Sequence, residues 1–216
     1  INSTEVAAEP GETILPVALR NGIKIPHLCW DPRLEPYGAC RMCLVEIEGM
    51  PDPVPSCTTE GREGMIVRTD TEQLREIRKT IVELILYDHP RDCLTCAKAG
   101  TCDLQDLAYD LGIEDFTPEE HDLPVIVEDV GNAVIYRDPA KCILCGKCVR
   151  ICREVQMVGV LDFADRGYDT QVIPAQGGLS WDTDCELCGQ CVDACPTGAL
   201  MVQKAMHKGR EKDYVK

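Results

Sequence analysis

Cys142-Ile143-Leu144-Cys145-Gly146-Lys147-Cys148-Val149-Arg150-Ile151-Cys152 is answered further along the chain by Cys185-Glu186-Leu187-Cys188-Gly189-Gln190-Cys191-Val192-Asp193-Ala194-Cys195-Pro196. Both stretches read C-x2-C-x2-C-x3-C, the spacing in which three cysteines wrap one iron–sulfur cube and the fourth crosses to a second cube. One tight loop can supply three corners of a tetrahedral donor set, and the fourth must arrive from the other side. The expected ligand sets are therefore Cys142, Cys145, Cys148 with Cys195, and Cys185, Cys188, Cys191 with Cys152. Pro196 follows the last cysteine of the second run as the pattern asks, whereas Arg153 follows the first. Zinc fits poorly, because structural zinc takes separated cysteine pairs rather than four thiols packed this densely.

Working outward toward the N-terminus, Cys93, Cys96 and Cys102 are one donor short of a cube, and His89 is the nearest further donor in sequence. The pattern H-x3-C-x2-C-x5-C suits a [4Fe–4S] centre with one imidazole ligand. A neutral ring in place of a thiolate removes a negative charge and raises the potential, as in Rieske sites. A zinc site of three cysteines and one histidine, or a plain histidine at a helix end, are the alternatives on spacing alone. Earlier still come Cys29, Cys40, Cys43 and Cys57, spaced C-x10-C-x2-C-x13-C. This is related to the plant-type run that binds [2Fe–2S]. In Gly38-Ala39-Cys40-Arg41-Met42-Cys43 the small residues let backbone amides approach the cluster, and Arg41 is expected beside it, favouring its reduced form. A zinc site or buried free thiols are the competing readings.

The donors close as a set. Four fully ligated centres need sixteen ligands; the chain has fifteen cysteines, and His89 completes the number. His27, His121 and His207 are left without a role, and Trp30 and Trp181 read as packing residues. No G-x-G-x-x-G, P-loop or H-E-x-x-H occurs. With every iron fully ligated there is no open position for substrate, so the residues describe one [2Fe–2S] and three [4Fe–4S] one-electron centres in series.

Composition agrees. A chain of 216 residues has room for several small units, and its odd cysteine count excludes a complete disulfide framework. No export signal or apolar run long enough to span a membrane is visible, which places these thiols in a reducing, cytoplasmic setting. A net charge of −15 argues against nucleic acid as a partner. Ile1 to Val6 reads as a clipped strand, with residues expected before Ile1.

The local signals give a helix over 12–21 stopped by Gly22, a strand over 44–48, and a closing strand over 65–68. A long helix over 70–88 follows, capped by Asp70, with Leu74, Ile77, Ile81, Leu84 and Ile85 facing a core. A shorter helix runs over 103–111 to Gly112. Strands are expected at 125–127 and 133–135, a hairpin from 158–161 and 171–173, and a turn and strand at 196–200. Residues 113–138 read as a connector, polar and acidic over 116–121.

Taken together, these motifs in this order resemble the N-terminal region shared by the G-type iron–sulfur chain of respiratory complex I, the large [FeFe] hydrogenases and the catalytic subunit of NAD(P)-dependent molybdenum or tungsten formate dehydrogenases. The resemblance covers about residues 1–205, and Asp92-Cys93-Leu94-Thr95-Cys96 and Gly38–Val45 belong to it. It implies an α+β chain: a β-grasp [2Fe–2S] ferredoxin unit (1–70), a small helical [4Fe–4S] unit with one histidine and three cysteine ligands (71–115), a βαββαβ double [4Fe–4S] ferredoxin unit (116–203), and a linker (204–216). The tail Lys204-Ala205-Met206-His207-Lys208-Gly209-Arg210 resembles the segment that leads to the molybdopterin part of formate dehydrogenases. The resemblance implies a flavin- and NAD(P)-binding iron–sulfur subunit and a catalytic Mo/W-pterin module as partners. A hydrogen-cluster module in place of the pterin, a free-standing soluble carrier, and a zinc-stabilised interaction module are the rival readings.

Overall fold

The computed structural model describes residues 1–113, 132–174 and 184–203. The expected strand at 125–127, the polar part of the connector at 116–121, His121, Trp181, His207 and the tail 204–216 lie outside the described residues. The chain divides into two compact units, residues 1–84 with 107–114, and residues 85–106 with 115–216.

The first unit contains helix α1 (Ile14–Arg20) and a small antiparallel sheet of β1 (Leu44–Ile47), β2 (Val54–Pro55) and β3 (Val67–Arg68) in the order β2-β1-β3. Alternation along β1 turns Val45 and Ile47 inward, as strand geometry requires. Register follows from the pairs Val45 with Val54 and Ile47 with Val67. Helix α1 has no side-chain cap. Its first amides, Ile14 N and Leu15 N, donate instead to the carbonyls of Thr59 and Ser56, so this end is satisfied by tertiary contact. At its other end, Gly22 at φ +74° allows its own amide to reach Leu19 O and that of Ile23 to reach Ala18 O, the paired bonds of a Schellman stop. Ile14, Leu15, Ala18, Ile25, Val45, Ile47 and Val67 form the core, with Cys43 and Cys57 among them. Trp30 packs at its margin and meets His27 edge-on at 5.4 Å.

Helix α2 (Glu72–Asp88) departs from expectation in two ways. Its cap is Thr71, whose Oγ1 accepts from Leu74 N at 3.2 Å and donates to Glu46 Oε1 at 2.5 Å. Asp70 is turned away by a two-point ion pair with Arg75. The buried stripe is Leu74, Arg78 and Val82, while Leu84 is 68% exposed. These three positions are four residues apart, a proper helical face, but one that runs through an arginine. Helix α3 (Asp103–Asp110) ends at Gly112 by the same paired bonds as α1.

In the second unit the order is β4 (Ile135–Arg137), α4 (Lys147–Arg150), β5 (Leu161–Ala164), β6 (Gln171–Pro174), α5 (Gln190–Ala194) and β7 (Leu200–Val202). β4 pairs antiparallel with β7, and β5 with β6. The strand expected at 133–135 is displaced to Ile135–Arg137. There Asn132 Oδ1 accepts from the amides of Val134 and Ile135, an Asx-type turn that delays the strand. The two halves repeat closely. Leu144 and Leu187 both sit in the left-handed region at φ +52° and +53°, and Gly146 and Gly189 both precede their helices at φ +75°. They part where the sequences part. Pro196 cannot extend a helix, so Cys195 leaves α5 in extended conformation. Arg153 has no such effect, and α4 continues into a π-helical turn over Ile151–Val155.

Candidate functional site

The cysteines are placed by loops whose amides turn toward sulfur. In the first unit, Cys29, Cys43 and Cys57 are buried and Cys40 half-buried. Arg41, in the left-handed region at φ +58°, tightens the Cys40–Cys43 turn, yet its side chain is exposed. Cys40 N lies 3.4 Å from Cys29 Sγ, and the amides of Met42, Leu28 and Cys29 face Cys40 Sγ. The Cys29 thiol bonds to Cys40, and with these amides pulls Cys40 down to about 5; the Cys57 thiol likewise draws Cys43 to about 7. Cys29 and Cys57, each keeping the proton for a neighbouring thiolate, are pushed up. Cys57 feels Cys43, Cys29 and Cys40 together, so all four thiols share one site. Ser56 Oγ donates to Cys43 O at 2.7 Å and fixes the loop from behind.

In the second unit, Cys102 stands where a capping side chain would, immediately before α3, and the amides of Gln105 and Leu104 face its sulfur. Burial raises Cys102 and Cys93, and both feel Cys96. His89 Nδ1 lies 2.8 Å from Pro90 O. A proton on Nδ1 donated to that carbonyl leaves Nε2 with a free lone pair; burial, foremost, holds the ring's pKa down. Nε2 itself is buried without any hydrogen-bond partner, a state a polar atom seldom keeps unless it serves a ligand. Among the described residues no hydrogen bond joins His89 to a thiol. It shares its charged neighbours Asp92 and Lys141 with Cys93.

Cys142, Cys145, Cys148 and Cys195 line one cavity, and Cys152, Cys185, Cys188 and Cys191 line another. In the first cavity, the amides of Leu144 and Lys147 face Cys142 and Cys145 respectively. The left-handed leucine therefore has a purpose: it aims an amide at sulfur, as a nest does for an anion. Burial raises Cys142, Cys145 and Cys148, Cys145 to about 12, and Cys195 adds to the effect. Burial raises Cys191 to about 12 as well, with Cys188, Cys185 and Cys152 next in effect. Val160 N lies 3.3 Å from Cys152 Sγ. Among the described residues no three acid, histidine or cysteine side chains close on a single point as one metal ion needs. The thiols instead edge apolar cavities, an arrangement suited to a cluster whose ligands hold separate irons.

Several connections are invisible in the spacing. Thr197 Oγ1 donates to Lys141 O at 2.7 Å and so ties the residue before Cys142 to the segment after Cys195. Lys141 Nζ pairs with Asp92 at 3.1 Å and Asp138 at 3.0 Å. Asp103 N donates to Pro196 O at 2.9 Å. A Cβ on Gly198 would stand 3.1 Å from Cys96 Sγ, so the glycine is what lets these two loops touch. Pattern reading also misses the capping threonine and the buried arginine of α2. An arginine at helical spacing between Leu74 and Val82 is the available signal.

Three family models match in sequence: a 2Fe-2S iron-sulfur cluster binding domain over residues 1–72, the NADH-ubiquinone oxidoreductase-G iron-sulfur binding region over 78–116, and the NADH-quinone oxidoreductase subunit 3 ferredoxin-like domain over 132–201. The chain is 38% identical over 99% of its length to the second G-type chain of the NADH-quinone oxidoreductase of Rhizobium meliloti, covering 25% of that protein. It is 40% identical over 93% of its length to the NADP-reducing hydrogenase subunit HndD of Solidesulfovibrio fructosivorans, covering 35% of it. The NADPH-Fe(3+) oxidoreductase subunit alpha of Geobacter sulfurreducens is 38% identical over 97% of the chain, which covers 24% of that subunit. The chain thus spans about a quarter to a third of these relatives. A chain in the crystal structure of an NAD+-reducing [NiFe]-hydrogenase in the H2-reduced state superposes with a TM-score of 0.84 at 31% identity, covering 94% of this chain and 85% of that one. Likeness to the G-type chain extends through the double-motif stretch, so that stretch does not by itself set the chain apart from complex I.

Proposed function

Because this chain belongs to the iron–sulfur electron-transfer family of the G-type chains of NADH-quinone oxidoreductase and the NAD(P)-linked hydrogenases, we propose that it is a four-centre wire. In this reading Cys29, Cys40, Cys43 and Cys57 hold a [2Fe–2S] cluster. His89, Cys93, Cys96 and Cys102 hold a [4Fe–4S] cluster, and the two cavity-lining quartets hold two more. The modules are 1–70, 71–115 and 116–203, with 204–216 as a linker, in a β-grasp, helical and double-ferredoxin sequence. The observation that carries the reading is the closure of the donor set: all fifteen cysteines fall into these groups, and the one unpartnered buried side-chain atom among the described residues is His89 Nε2. Zinc at the His89 group would break that pattern, since it would leave one module without a redox role.

Bound clusters supply one-electron acceptors; the residues do the rest. The thiols ligate as thiolates, the amides of Leu144, Lys147, Gln105 and Leu104 offset their charge, and the apolar walls of the cavities exclude water. His89 contributes its Nε2 lone pair while Pro90 O holds the Nδ1 proton. With no iron left open, the chain passes electrons and leaves catalysis to a neighbour.

The neighbour proposed on one side is a flavin subunit facing NAD(P), and on the other a formate-oxidising molybdenum or tungsten pterin module, in a reducing, cytoplasmic compartment. The tail from Lys204 supports formate. A hydrogenase module is the second reading, favoured by the 40% identity to the NADP-reducing hydrogenase subunit. Among the described residues no helix is long and apolar enough to cross a membrane. Metal analysis of the native complex, purified without oxygen, tests the choice. Molybdenum or tungsten beside iron supports formate oxidation; iron with nickel, or iron alone with hydrogen uptake, moves the reading to a hydrogenase. Zinc without acid-labile sulfide would defeat the wire itself.

A further inference from the structure

Arg78 is 2% exposed on the buried face of α2. Its Nε donates to Met42 O at 3.1 Å, and its Nη2 to Leu44 O at 2.7 Å and Thr69 O at 2.9 Å. Two of these carbonyls flank Cys43 on either side. No described carboxylate pairs with the guanidinium. Asp70, the first charge that Arg78 feels, makes no hydrogen bond to it and spends both oxygens on Arg75; Cys43 is the next. A buried cation with neutral acceptors alone is costly, because carbonyl dipoles do not replace its lost hydration. A fold that keeps it must supply an anion within reach.

We propose that Arg78 is the internal counter-ion of the centre at Cys29, Cys40, Cys43 and Cys57 and raises that centre's reduction potential. The inference rests on the [2Fe–2S] reading of those four cysteines. Four thiolates and two sulfides over two ferric ions leave the oxidised centre anionic, and reduction adds one further negative charge. A fixed cation behind Cys43 favours the more negative state, so it favours reduction. Arg41, the cation visible from sequence, is exposed to solvent and screened; Arg78 acts through a desolvated interior where charge carries further. Its fork also fixes the two carbonyls around Cys43, a geometry that lysine, a single-point donor, would not reproduce.

The test is an anaerobic redox titration, followed by electron paramagnetic resonance, of the intact cluster-loaded protein carrying Arg78→Met or Arg78→Lys. Arg78→Met is expected to shift the [2Fe–2S] midpoint negative, by at least a tenfold change in the reduced-to-oxidised ratio at fixed potential (about 59 mV for one electron). Arg78→Lys should restore most of the shift, with the [4Fe–4S] midpoints unmoved in both. A loaded Arg78→Met protein with an unchanged [2Fe–2S] midpoint overturns the proposal, however much thermal stability it has lost. If Arg78→Met does not load that centre, Arg78→Lys decides. Loading at near the unsubstituted midpoint supports a need for charge, and failure of both leaves a purely geometric clamp and overturns it. Absence of any [2Fe–2S] signal in the unsubstituted protein would instead remove the ligand reading beneath.

Discussion

Thr197→Val tests how much one hydroxyl, beside the β4–β7 ladder and the bond from Asp138 N to Ala199 O, adds to the joining of the Cys142 and Cys195 segments. Thr197 is 1% exposed, and its Oγ1 donates to Lys141 O at 2.7 Å. Valine keeps the shape and removes the donor, so a half-buried carbonyl loses this bond at a cost of about 0.5–1.5 kcal/mol. In a unit of about 120 residues each kcal/mol moves an unfolding midpoint by about 3–6 °C, giving an expected fall of about 2–9 °C in the second unit. The local effect is more telling. The hydroxyl spans the residue before Cys142 and the segment after Cys195, two lips of one cavity, so its loss should hasten removal of that centre's iron by a chelator. Thermal scans and chelation time courses of the anaerobic holoprotein would measure both, with Thr197→Ser expected to behave as the unsubstituted protein. Equal midpoints and equal iron release in the valine variant would refute the reasoning, because the bond would then be replaceable without loss.

Three further outcomes follow from the same structure. Gly198→Ala places a Cβ 3.1 Å from Cys96 Sγ and 3.3 Å from Lys141 Cδ; Lys141 is pinned by two aspartates, so a strain of about 1–3 kcal/mol is expected, read as a lower melting midpoint and an altered spectrum of the His89 centre. Cys96→Ser should damage that centre alone, with the other cluster signals intact; loss of every signal together would contradict a modular chain. Removal of all iron should unfold the units unequally: amide exchange at Val45 and Ile47 stays slow, while that at Leu161 and Val172 becomes fast.

The unequal response reflects what is and is not legible in the sequence. A cluster of the proposed kind would dictate the ligand spacing, so the cysteine runs can be grouped by inspection, and each later quartet does line one cavity. Stops at Gly22 and Gly112 are legible because only a left-handed residue closes those bonds without strain. The face of α2 is legible only in part: Leu74 is buried and Ile77, Ile81 and Ile85 are half-buried as the pattern expects. Pattern reading counts arginine as exposed, and so it selects Leu84, which stands in solvent, over the stripe through Arg78. Thr71 and Asp70 are equally good caps by type, and only the pull of Arg75 on Asp70 decides between them. Leu144 and Leu187 carry no local mark of left-handed backbone; the need to aim an amide at sulfur imposes it.

The core of the second unit is composed of Ile135, Val149, Val160, Leu161, Val172 and Leu200 with Cys148, Cys191 and Cys195 among them, and Cys142, Cys152 and Cys185 at its edge. Sulfur from the proposed ligands therefore shares this interior with hydrocarbon. If the thiols of this unit hold clusters as proposed, closing its core and filling its cavities are one event, so that folding and cofactor insertion are coupled.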